Sequence, residues 1–326
     1  MERSIFGTLK ETAIRKKIPI NAHLDLSYYC NLNCVHCYII RDNRLELRTA
    51  EIKEILIQLA AAGTLYLTLS GGEILTRSDF FEIASYARKL HFALTLFTNG
   101  TLIDEDIADK ISALNPLCVH MSLYSTNSRN HDAITGVHGS LKKSLSAMRM
   151  LREKNIRVKI STVIMRQNLN DYHDIYKLTQ KFGVEFQVNC RITPKIDKDP
   201  SPLNYQIDDN DLYKVISDPI FSKQNEVELK EAEFYLSNCV PCGAGHMSCY
   251  ISPYGEIYPC IVLPILCGNI REKSFIDIWE NSYEIQRIRS LAPSLLTTHH
   301  KHDNNIVPFR RCIGIDYLKG WDITRP

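Results

Sequence analysis

The stretch that decides the fold runs from Leu24 to Tyr38 and reads Leu-Asp-Leu-Ser-Tyr-Tyr-Cys-Asn-Leu-Asn-Cys-Val-His-Cys-Tyr. Its thiols, Cys30, Cys34 and Cys37, have the spacing C-x3-C-x2-C and follow directly on a short apolar run that predicts a strand. A 4Fe-4S cluster takes one thiolate per iron, so three thiolates leave one iron with an open coordination position. A small molecule can bind and react at such an iron. The loop is therefore predicted to hold a cluster that takes part in chemistry.

Two other uses of these thiols fit the sequence less well. A structural zinc site has four ligands, usually in two pairs, and the nearest histidine, His36, lies between two of the cysteines. A disulfide framework suits a short secreted chain. This chain has 326 residues and starts with Met-Glu-Arg-Ser rather than with an apolar signal segment. Zinc remains the open alternative.

The composition predicts a cytoplasmic enzyme that binds metal. The chain is 44% hydrophobic and 23% charged, which is enough apolar material for one large domain and a small one. Its net charge is +2 and no stripe of Lys and Arg stands out, so nucleic acid is not an expected partner. No run of 18 apolar residues occurs, so no membrane span is expected. Eleven cysteines in a reducing compartment indicate metal rather than disulfides.

Strand and helix patterns alternate along the first two thirds of the chain. Six strands that alternate with helices predict a parallel sheet of one hand, curved into a partial, TIM-like (β/α)6 barrel. We expect an N-terminal segment over 1–20, the barrel over 21–225 and a small cysteine-rich domain over 226–326. The predicted strands are 22–26, 65–69, 93–97, 118–123, 158–164 and 186–189, and the predicted helices are 49–62, 78–90, 104–114, 140–154 and 172–182.

Polar motifs follow the ends of these strands. Ser70-Gly71-Gly72-Glu73 follows the second strand and Thr98-Asn99-Gly100 the third, while Ser122 closes the fourth and Cys190 the sixth. Chemistry in such folds gathers at the carboxyl ends of the strands. One face of the barrel is therefore predicted to collect these motifs and the cysteine loop.

With these motifs in this order, residues 20–205 resemble the radical S-adenosylmethionine (radical SAM) enzymes. The resemblance implies that the amino and carboxylate groups of S-adenosylmethionine chelate the open iron. Gly71 and Gly72 would let the backbone come close, and Glu73 would accept a hydrogen bond from the amino group. His36 stands where many members carry an aromatic residue beside the adenine.

The same resemblance implies further cofactor contacts from the third and fourth strands. Ser122 matches the family position that contacts the cofactor. The resemblance implies a cofactor contact for Asn99 as well. Lys143 falls where relatives often place an arginine for the cofactor carboxylate. An exposed helix lysine is the alternative interpretation of Lys143.

The cysteines of the last ninety residues are similar to the auxiliary-cluster extension called SPASM, or to its shorter form, twitch. Cys242, Gly255 and Cys260 have its spacing, and Tyr254-Gly255 is predicted to form a hairpin turn. Two fully ligated clusters would need about eight thiolates. One auxiliary 4Fe-4S cluster is therefore expected, with zinc as the alternative. Its expected ligands are Cys242, Cys249, Cys260 and Cys312, with Cys239 or Cys267 as possible replacements.

Several thiols and histidines remain outside these sites. A thiol at the barrel mouth could donate a hydrogen atom to a substrate radical, and Cys190 and Cys239 are the candidates, with a core cysteine as the alternative. Cys118 is expected to be buried as a small hydrophobe. The polar cluster of His299, His300, His302 and Asp303 is expected to be a solvated connection.

The resemblance implies an enzyme that splits S-adenosylmethionine and uses the resulting radical to take hydrogen from a substrate. Residues 191–202 resemble the peptide-modifying branch, so a ribosomally made peptide is the expected substrate, changed by epimerisation or by a thioether or carbon–carbon crosslink. A sugar or a tetrapyrrole precursor is the alternative, and a non-catalytic zinc protein is the remote one. A flavodoxin- or ferredoxin-type electron donor is expected. Only 29 residues precede Cys30, so a separate protein could recognise a leader peptide.

Overall fold

Six parallel strands form the centre of the molecule, and they lie side by side in chain order. The computed structural model describes residues 5–221, 224, 226–227, 230–231, 234–235, 238, 240, 242–291, 300–302, 305–307, 312–318 and 320. The prediction of a partial barrel is confirmed, because every crossover between these strands contains at least one helix. The strands are β1 (Asn21–Ser27), β2 (Tyr66–Gly71), β3 (Ala93–Thr98), β4 (Cys118–Ser122), β5 (Val158–Val163) and β6 (Glu185–Asn189).

The helices pack an apolar face against the sheet. In the second helix Ile52, Ile55, Leu56 and Leu59 are buried, and each such side chain stabilises the fold by about 1.5–3 kcal/mol. None of the described helices is long and apolar enough to cross a membrane. The helices of this part are α1 (Ile5–Lys16), α2 (Thr49–Ala61), α3 (Phe80–Lys89), α4 (Glu105–Leu114), α5 (Ser128–Thr135), α6 (Ser140–Glu153), α7 (Tyr172–Phe182) and α8 (Asp209–Ile216).

The alternation of side chains along each strand separates the core from the barrel interior. In β1, Leu24 is fully buried within the main hydrophobic cluster, whereas His23 lines the central cavity. In β4, Val119 belongs to the cluster and His120 lines the cavity. Side chains of one face of the sheet therefore line the cavity, while the opposite face of the sheet packs on the helices.

The C-terminal segment continues the same sheet. Strand β7 (Ser248–Ile251) pairs in parallel with β1, and β8 (Glu256–Tyr258) and β9 (Gly268–Asn269) follow as antiparallel neighbours. The hairpin turn predicted at Tyr254–Gly255 is confirmed, and Gly255 has the positive φ of +82° that favours glycine. Helices α9 (Phe275–Asn281) and α10 (Tyr283–Arg289), the hairpin β10 (His300–His302) and β11 (Asn305–Val307), and helix α11 (Ile313–Leu318) come after it.

Two local predictions differ from the structure. Helix α5 was not predicted, because only His131, Ile134 and Thr135 of its eight residues are buried, so its sequence lacks a marked apolar period. Residues 300–302 were expected in an irregular connection but form β10, while His299 and Asp303 lie outside the described residues. Cys118 is buried, as predicted. The domain boundaries at 20 and 225 remain a prediction.

Candidate active site

The cysteine loop follows β1 and brings its three thiols together. Cys30, Cys34 and Cys37 are each partly buried. Burial, together with the charges of Cys37 and Cys30, raises the pKa of Cys34 to about 12. Thiolates that repel one another in a buried loop need a cation between them, because metal ligation requires the deprotonated form. The chemistry of this ligand set fits an iron–sulfur cluster.

Helix α5 holds the outer side of the cysteine loop. The backbone N–H of Asn33 donates to Thr135 O over 2.9 Å, and the N–H of Val35 donates to Ile134 O over 3.0 Å. Gly136, at the C-cap of the helix, has a φ of +71°, and a Cβ there would lie 2.8 Å from Asn33 O. The close packing of helix and loop therefore requires glycine at this position.

The two glycines after β2 hold the inner side of the loop. A Cβ on Gly71 would lie 2.2 Å from Ser27 O, and one on Gly72 would lie 2.2 Å from Tyr29 O. The N–H of Gly72 donates to Ser27 O over 2.7 Å. The resemblance had implied a close approach to the cofactor. The close approach in the structure is to the start of the cysteine loop, although both glycines also line the cavity.

Glu73 lies behind the cavity wall and is 1% exposed. Its carboxylate accepts hydrogen bonds from Thr98 Oγ1 at 2.7 Å, from the N–H of Asn99 at 2.6 Å and from the N–H of Leu75 at 3.1 Å. Burial raises its pKa, and these three donors lower it in part. The described contacts of Glu73 thus tie β2 to the end of β3. Glu73 is not among the residues that line the cavity.

Asn99 connects the end of β3 to the cysteine loop. Its side-chain amide donates to Asn31 Oδ1 at 2.9 Å and lies 3.8 Å from the sulfur of Cys30. Its side-chain oxygen accepts from Thr101, and its backbone oxygen accepts from Ser144 Oγ at 2.9 Å. Hydrogen bonds to a ligand sulfur tune the potential of an iron–sulfur cluster. Asn99 also lines the cavity.

His36 faces the cavity with an unsatisfied nitrogen. Its ring packs edge-on against Tyr124, with centroids 4.8 Å apart. Burial lowers the pKa of His36 to about 4, so the ring is neutral near pH 7. Its Nδ1 atom is buried and has no partner among the described residues. A buried polar atom without a partner indicates a ligand that supplies one, and this position fits a bound nucleoside.

The cavity has a volume of about 400 Å³ and lies at the carboxyl ends of the barrel strands. Ser70, Thr98, Ser122, Val163 and Asn189 line it from the ends of β2 to β6. His131 and Ser144 are among the polar lining residues that the sequence analysis missed. His131 lies on the unpredicted α5, and Ser144 directly follows the lysine that the resemblance had selected. One face of the barrel thus collects the predicted motifs.

Two predicted site residues lie away from this cavity. Lys143 is exposed on α6 and is not among the lining residues. Cys190 packs against a second hydrophobic cluster that contains Ile164, Tyr172 and Val188, and it does not line the cavity. This placement differs from the expectation of a thiol at the barrel mouth. Cys239, the other expected hydrogen donor, lies outside the described residues.

The late cysteines form two separate groups. Cys242, Cys260 and Cys312 are neighbours, because the charges of Cys242 and Cys312 act together with burial to raise the pKa of Cys260 to about 12. Cys249 and Cys267 belong instead to the main hydrophobic cluster, and the Cys249 thiol lies 3.9 Å from Asn21 O. The structure therefore brings together three of the four predicted ligands and leaves Cys249 in the core of the sheet.

Neither thiol group has the geometry of a single-ion site. A zinc ion needs its thiolates at about 2.3 Å from one centre. No group of three His, Cys, Asp or Glu in the described part of the chain could hold one metal ion. A cluster attaches each thiolate to a different iron, so its ligands stand further apart.

Two known protein families match the two cysteine-containing parts of this chain. The sequence profile of the Radical SAM superfamily matches residues 24–179, and that of SPASM, an iron-sulfur cluster-binding domain, matches residues 242–312. The chain belongs to the radical SAM superfamily and carries a SPASM domain. As a member of this family it uses a 4Fe-4S cluster and S-adenosylmethionine, and its SPASM domain implies auxiliary iron–sulfur ligation.

Relatives of this radical SAM enzyme differ in function. The AdoMet-dependent heme synthase of Methanosarcina barkeri is 31% identical over 81% of this chain and 83% of its own length. The mycofactocin maturase MftC of Mycolicibacterium smegmatis is 31% identical over 83% of this chain and 72% of its own length. Streptococcus suis SuiB bound to its precursor peptide SuiA superposes with a TM-score of 0.63 at 18% identity, over 87% of this chain and 70% of SuiB, which shows a shared fold.

Proposed function

We propose that this enzyme modifies a peptide, by a thioether or carbon–carbon crosslink or by epimerisation. The observation that carries the proposal is the size of the cavity. A volume of about 400 Å³ is near the lower end of ligand pockets, which span about 300–1,000 Å³. S-adenosylmethionine is itself a ligand of ordinary drug size. With it bound, the cavity has room for one reacting group rather than for a whole second cofactor-sized molecule.

The apolar part of the cavity lining suits one side chain of a longer substrate. It includes Ile192, Pro194 and Ile196 after β6, and Ile261 and Pro264 from the SPASM segment. Apolar side chains from both segments can pack around an inserted side chain and exclude water from it. The rest of a peptide would stay outside the barrel. The relationship to a mycofactocin maturase at 31% identity also supports a maturase role.

The residues of this chain position and isolate the reactants. The bound cluster and S-adenosylmethionine together supply a 5′-deoxyadenosyl radical, which takes a hydrogen atom from a substrate C–H bond. Cys30, Cys34 and Cys37 would hold the cluster, and His36 and Ser122 would contact the nucleoside part of the cofactor. An electron donor of flavodoxin or ferredoxin type and a separate leader-recognition protein are the partners that complete the proposal.

A second candidate is a small-molecule substrate such as a tetrapyrrole precursor. It is favoured by the heme synthase of Methanosarcina barkeri, which matches this chain at the same identity as the maturase and over more of its own length. The two candidates differ in what must enter the barrel. A tetrapyrrole would bring one of its edge substituents into the barrel, whereas a peptide would bring in the side chain of a single residue.

The test incubates the anaerobic enzyme with S-adenosylmethionine, a reductant and a peptide encoded by a short reading frame beside its gene. A crosslinked product is lighter by two hydrogen atoms, and an epimerised product made in deuterated water carries one solvent deuterium. Parallel samples contain a tetrapyrrole precursor, and the Cys30→Ala variant serves as the control. An unchanged peptide together with a converted tetrapyrrole would overturn the peptide proposal.

A further inference from the structure

A buried carboxylate lies beneath the cysteine loop. Asp25, on β1, is 0% exposed. Its Oδ2 accepts a hydrogen bond from the hydroxyl of Tyr250 at 2.9 Å, and its Oδ1 lies 3.1 Å from Nε2 of His23. Both partners can donate, and an ionised carboxylate only accepts. Among the described residues no lysine or arginine forms an ion pair with Asp25, and its one basic neighbour is His23.

The hydrogen bonds of Asp25 extend to the start of the cysteine loop. The Tyr250 hydroxyl is also hydrogen-bonded to the hydroxyl of Tyr28 at 2.7 Å, and Tyr28 stands two residues before Cys30. The other partner of Asp25, His23, lines the same cavity as Cys30, Cys34 and Cys37.

One member of this network comes from the SPASM segment. Strand β7 pairs with β1 so that Tyr250 is opposite His23. The rings of these two residues contact each other edge-on at 5.7 Å. The Asp25 carboxylate therefore accepts a hydrogen bond from Tyr250, a residue of the SPASM segment. This is a physical link between the two parts of the enzyme.

A fixed negative charge beside an iron–sulfur cluster stabilises the oxidised state, because that state has the more positive charge. The effect is large where the dielectric is low and water is excluded. Net charge and hydrogen bonds near the sulfurs are among the factors that set cluster potentials. The activity of the family depends on a strongly reducing electron for the cofactor. A lower potential makes the reduced cluster a better donor of that electron.

We propose that Asp25 lowers the reduction potential of the radical cluster and that the Tyr250 hydroxyl of the SPASM segment, by its hydrogen bond to Asp25, partly offsets this effect. Both are positioning residues, since neither lines the cavity. The proposal rests on the family membership and holds for a peptide or a small-molecule substrate alike. Loss of Asp25 would leave the cluster easier to reduce and less able to split S-adenosylmethionine.

The chain supplies a matched control for Asp25. Asp42 stands five residues after Cys37, as Asp25 stands five residues before Cys30. It accepts a hydrogen bond from the Tyr254 hydroxyl at 2.7 Å, as Asp25 does from Tyr250. Asp42, however, is exposed and pairs with Arg44. Solvent and the arginine screen its charge, so it should not influence the cluster.

The experiment is a potentiometric titration of the reconstituted enzyme, followed by the electron paramagnetic resonance signal that S-adenosylmethionine perturbs. Only the cluster with an open iron should respond to the cofactor, so its midpoint can be read beside the auxiliary signal. Asp25→Asn should shift the midpoint to a more positive potential, whereas Asp42→Asn should leave it unchanged. Equal midpoints in Asp25→Asn and the unmodified enzyme would overturn the proposal.

A second pair of variants keeps the test decisive if Asp25→Asn fails to load iron. Tyr250→Phe keeps the charge of Asp25 but removes one donor that offsets it, so the midpoint should shift to a more negative potential. Tyr254→Phe, its counterpart at Asp42, should cause no shift. No difference between the two tyrosine variants, or a positive shift in Tyr250→Phe, contradicts the role of this network. Iron content and thermal melting verify that each variant is folded and loaded.

Discussion

The cysteine loop of the barrel and the cysteine-rich C-terminal segment both gather thiols, but the chain fixes them by different means. In the barrel, main-chain contacts from the end of β2 and from α5 hold the loop on two sides. In the SPASM segment, two of the five described cysteines are core residues, and only three thiols lie near one another. A short motif surrounded by regular elements can therefore be assigned from spacing, whereas dispersed cysteines need the structure.

The largest expected effect separates the two thiol groups. The Cys30→Ala, Cys34→Ala, Cys37→Ala triple variant should lose all cleavage of S-adenosylmethionine but keep about four irons, because the auxiliary site has its own ligands. The triple variant Cys242→Ala, Cys260→Ala, Cys312→Ala should lose the auxiliary irons and keep cleavage of the cofactor. Iron analysis and 5′-deoxyadenosine formation measure both. Cleavage that survives the first triple variant would refute the assignment of the loop.

Two glycines test how rigidly the backbone holds each region. A Cβ on Gly72 would meet a backbone oxygen at 2.2 Å, so Gly72→Ala must displace the cysteine loop and should cost about 3 kcal/mol or more of the free energy of unfolding. A Cβ on Gly243, beside Cys242, would meet only side-chain atoms, at 3.1 Å or more. Gly243→Ala should cost about 1 kcal/mol or less. Denaturant unfolding measures both, and equal costs would contradict the contrast.

A pair of buried histidines predicts the response to acid. Burial lowers the pKa of His131 and of His246 to about 4, and positive charges of Arg289 and Lys17 contribute at His246. The unfolded chain binds these protons more tightly, so stability is greatest above about pH 6.5 and falls as the pH drops towards 4. The loss at His131 is about 3 kcal/mol at most.

Substitution of each histidine distinguishes the two regions at neutral pH. Nδ1 of His131 accepts a hydrogen bond from the N–H of Tyr124 at 3.3 Å, whereas Nε2 of His246 has no partner in the described residues. His131→Gln should therefore cost about 1 kcal/mol at pH 7, and His246→Gln should cost less. Both should flatten the decline of stability in acid. Urea titrations at several pH values would show a steeper decline if the signs are wrong.

The last expected effect concerns Glu73. Glu73→Gln keeps the shape of the side chain but replaces one acceptor oxygen by an amide that cannot accept from Asn99 N–H. One buried donor is left unpaired, so the stability or the cofactor affinity should fall by about 1–3 kcal/mol. The two readouts separate two roles of Glu73. Weaker cofactor binding at unchanged stability supports direct contact with the amino group, whereas lower stability alone supports the link between β2 and β3.

The sequence predicted the local parts of the fold and missed those that depend on distant contacts. The strands were placed within a few residues because five-residue apolar runs have a clear period. The pairing of β7 with β1 joins residues far apart in the chain, and no local pattern indicates it. Cys249 is a residue whose interpretation depends on this pairing. Its spacing suggested a ligand, but its position in β7 places the thiol in the core.

The position of Asp25, the buried acid of β1, could be predicted from the sequence, but its hydrogen-bond partner could not. Asp25 stands between Leu24 and Leu26, where alternation already predicts that it faces the barrel interior. Its partner Tyr250 could be identified only from the assembled sheet. Lys143 shows the opposite case, since a family position selected it and its exposure on α6 could be seen only in three dimensions.

The pairing of β7 with β1 also sets an order of events during biosynthesis. Strand β1 leaves the ribosome early, and its outer edge stays unpaired until residues 248–251 have been made. An unpaired edge strand is a site for pairing with another chain. Until then, the Tyr250 hydroxyl is not in place to bond Asp25. A chain that is truncated before β7 would therefore expose an unpaired edge strand next to its cysteine loop. Nascent molecules are most prone to aggregation in this interval.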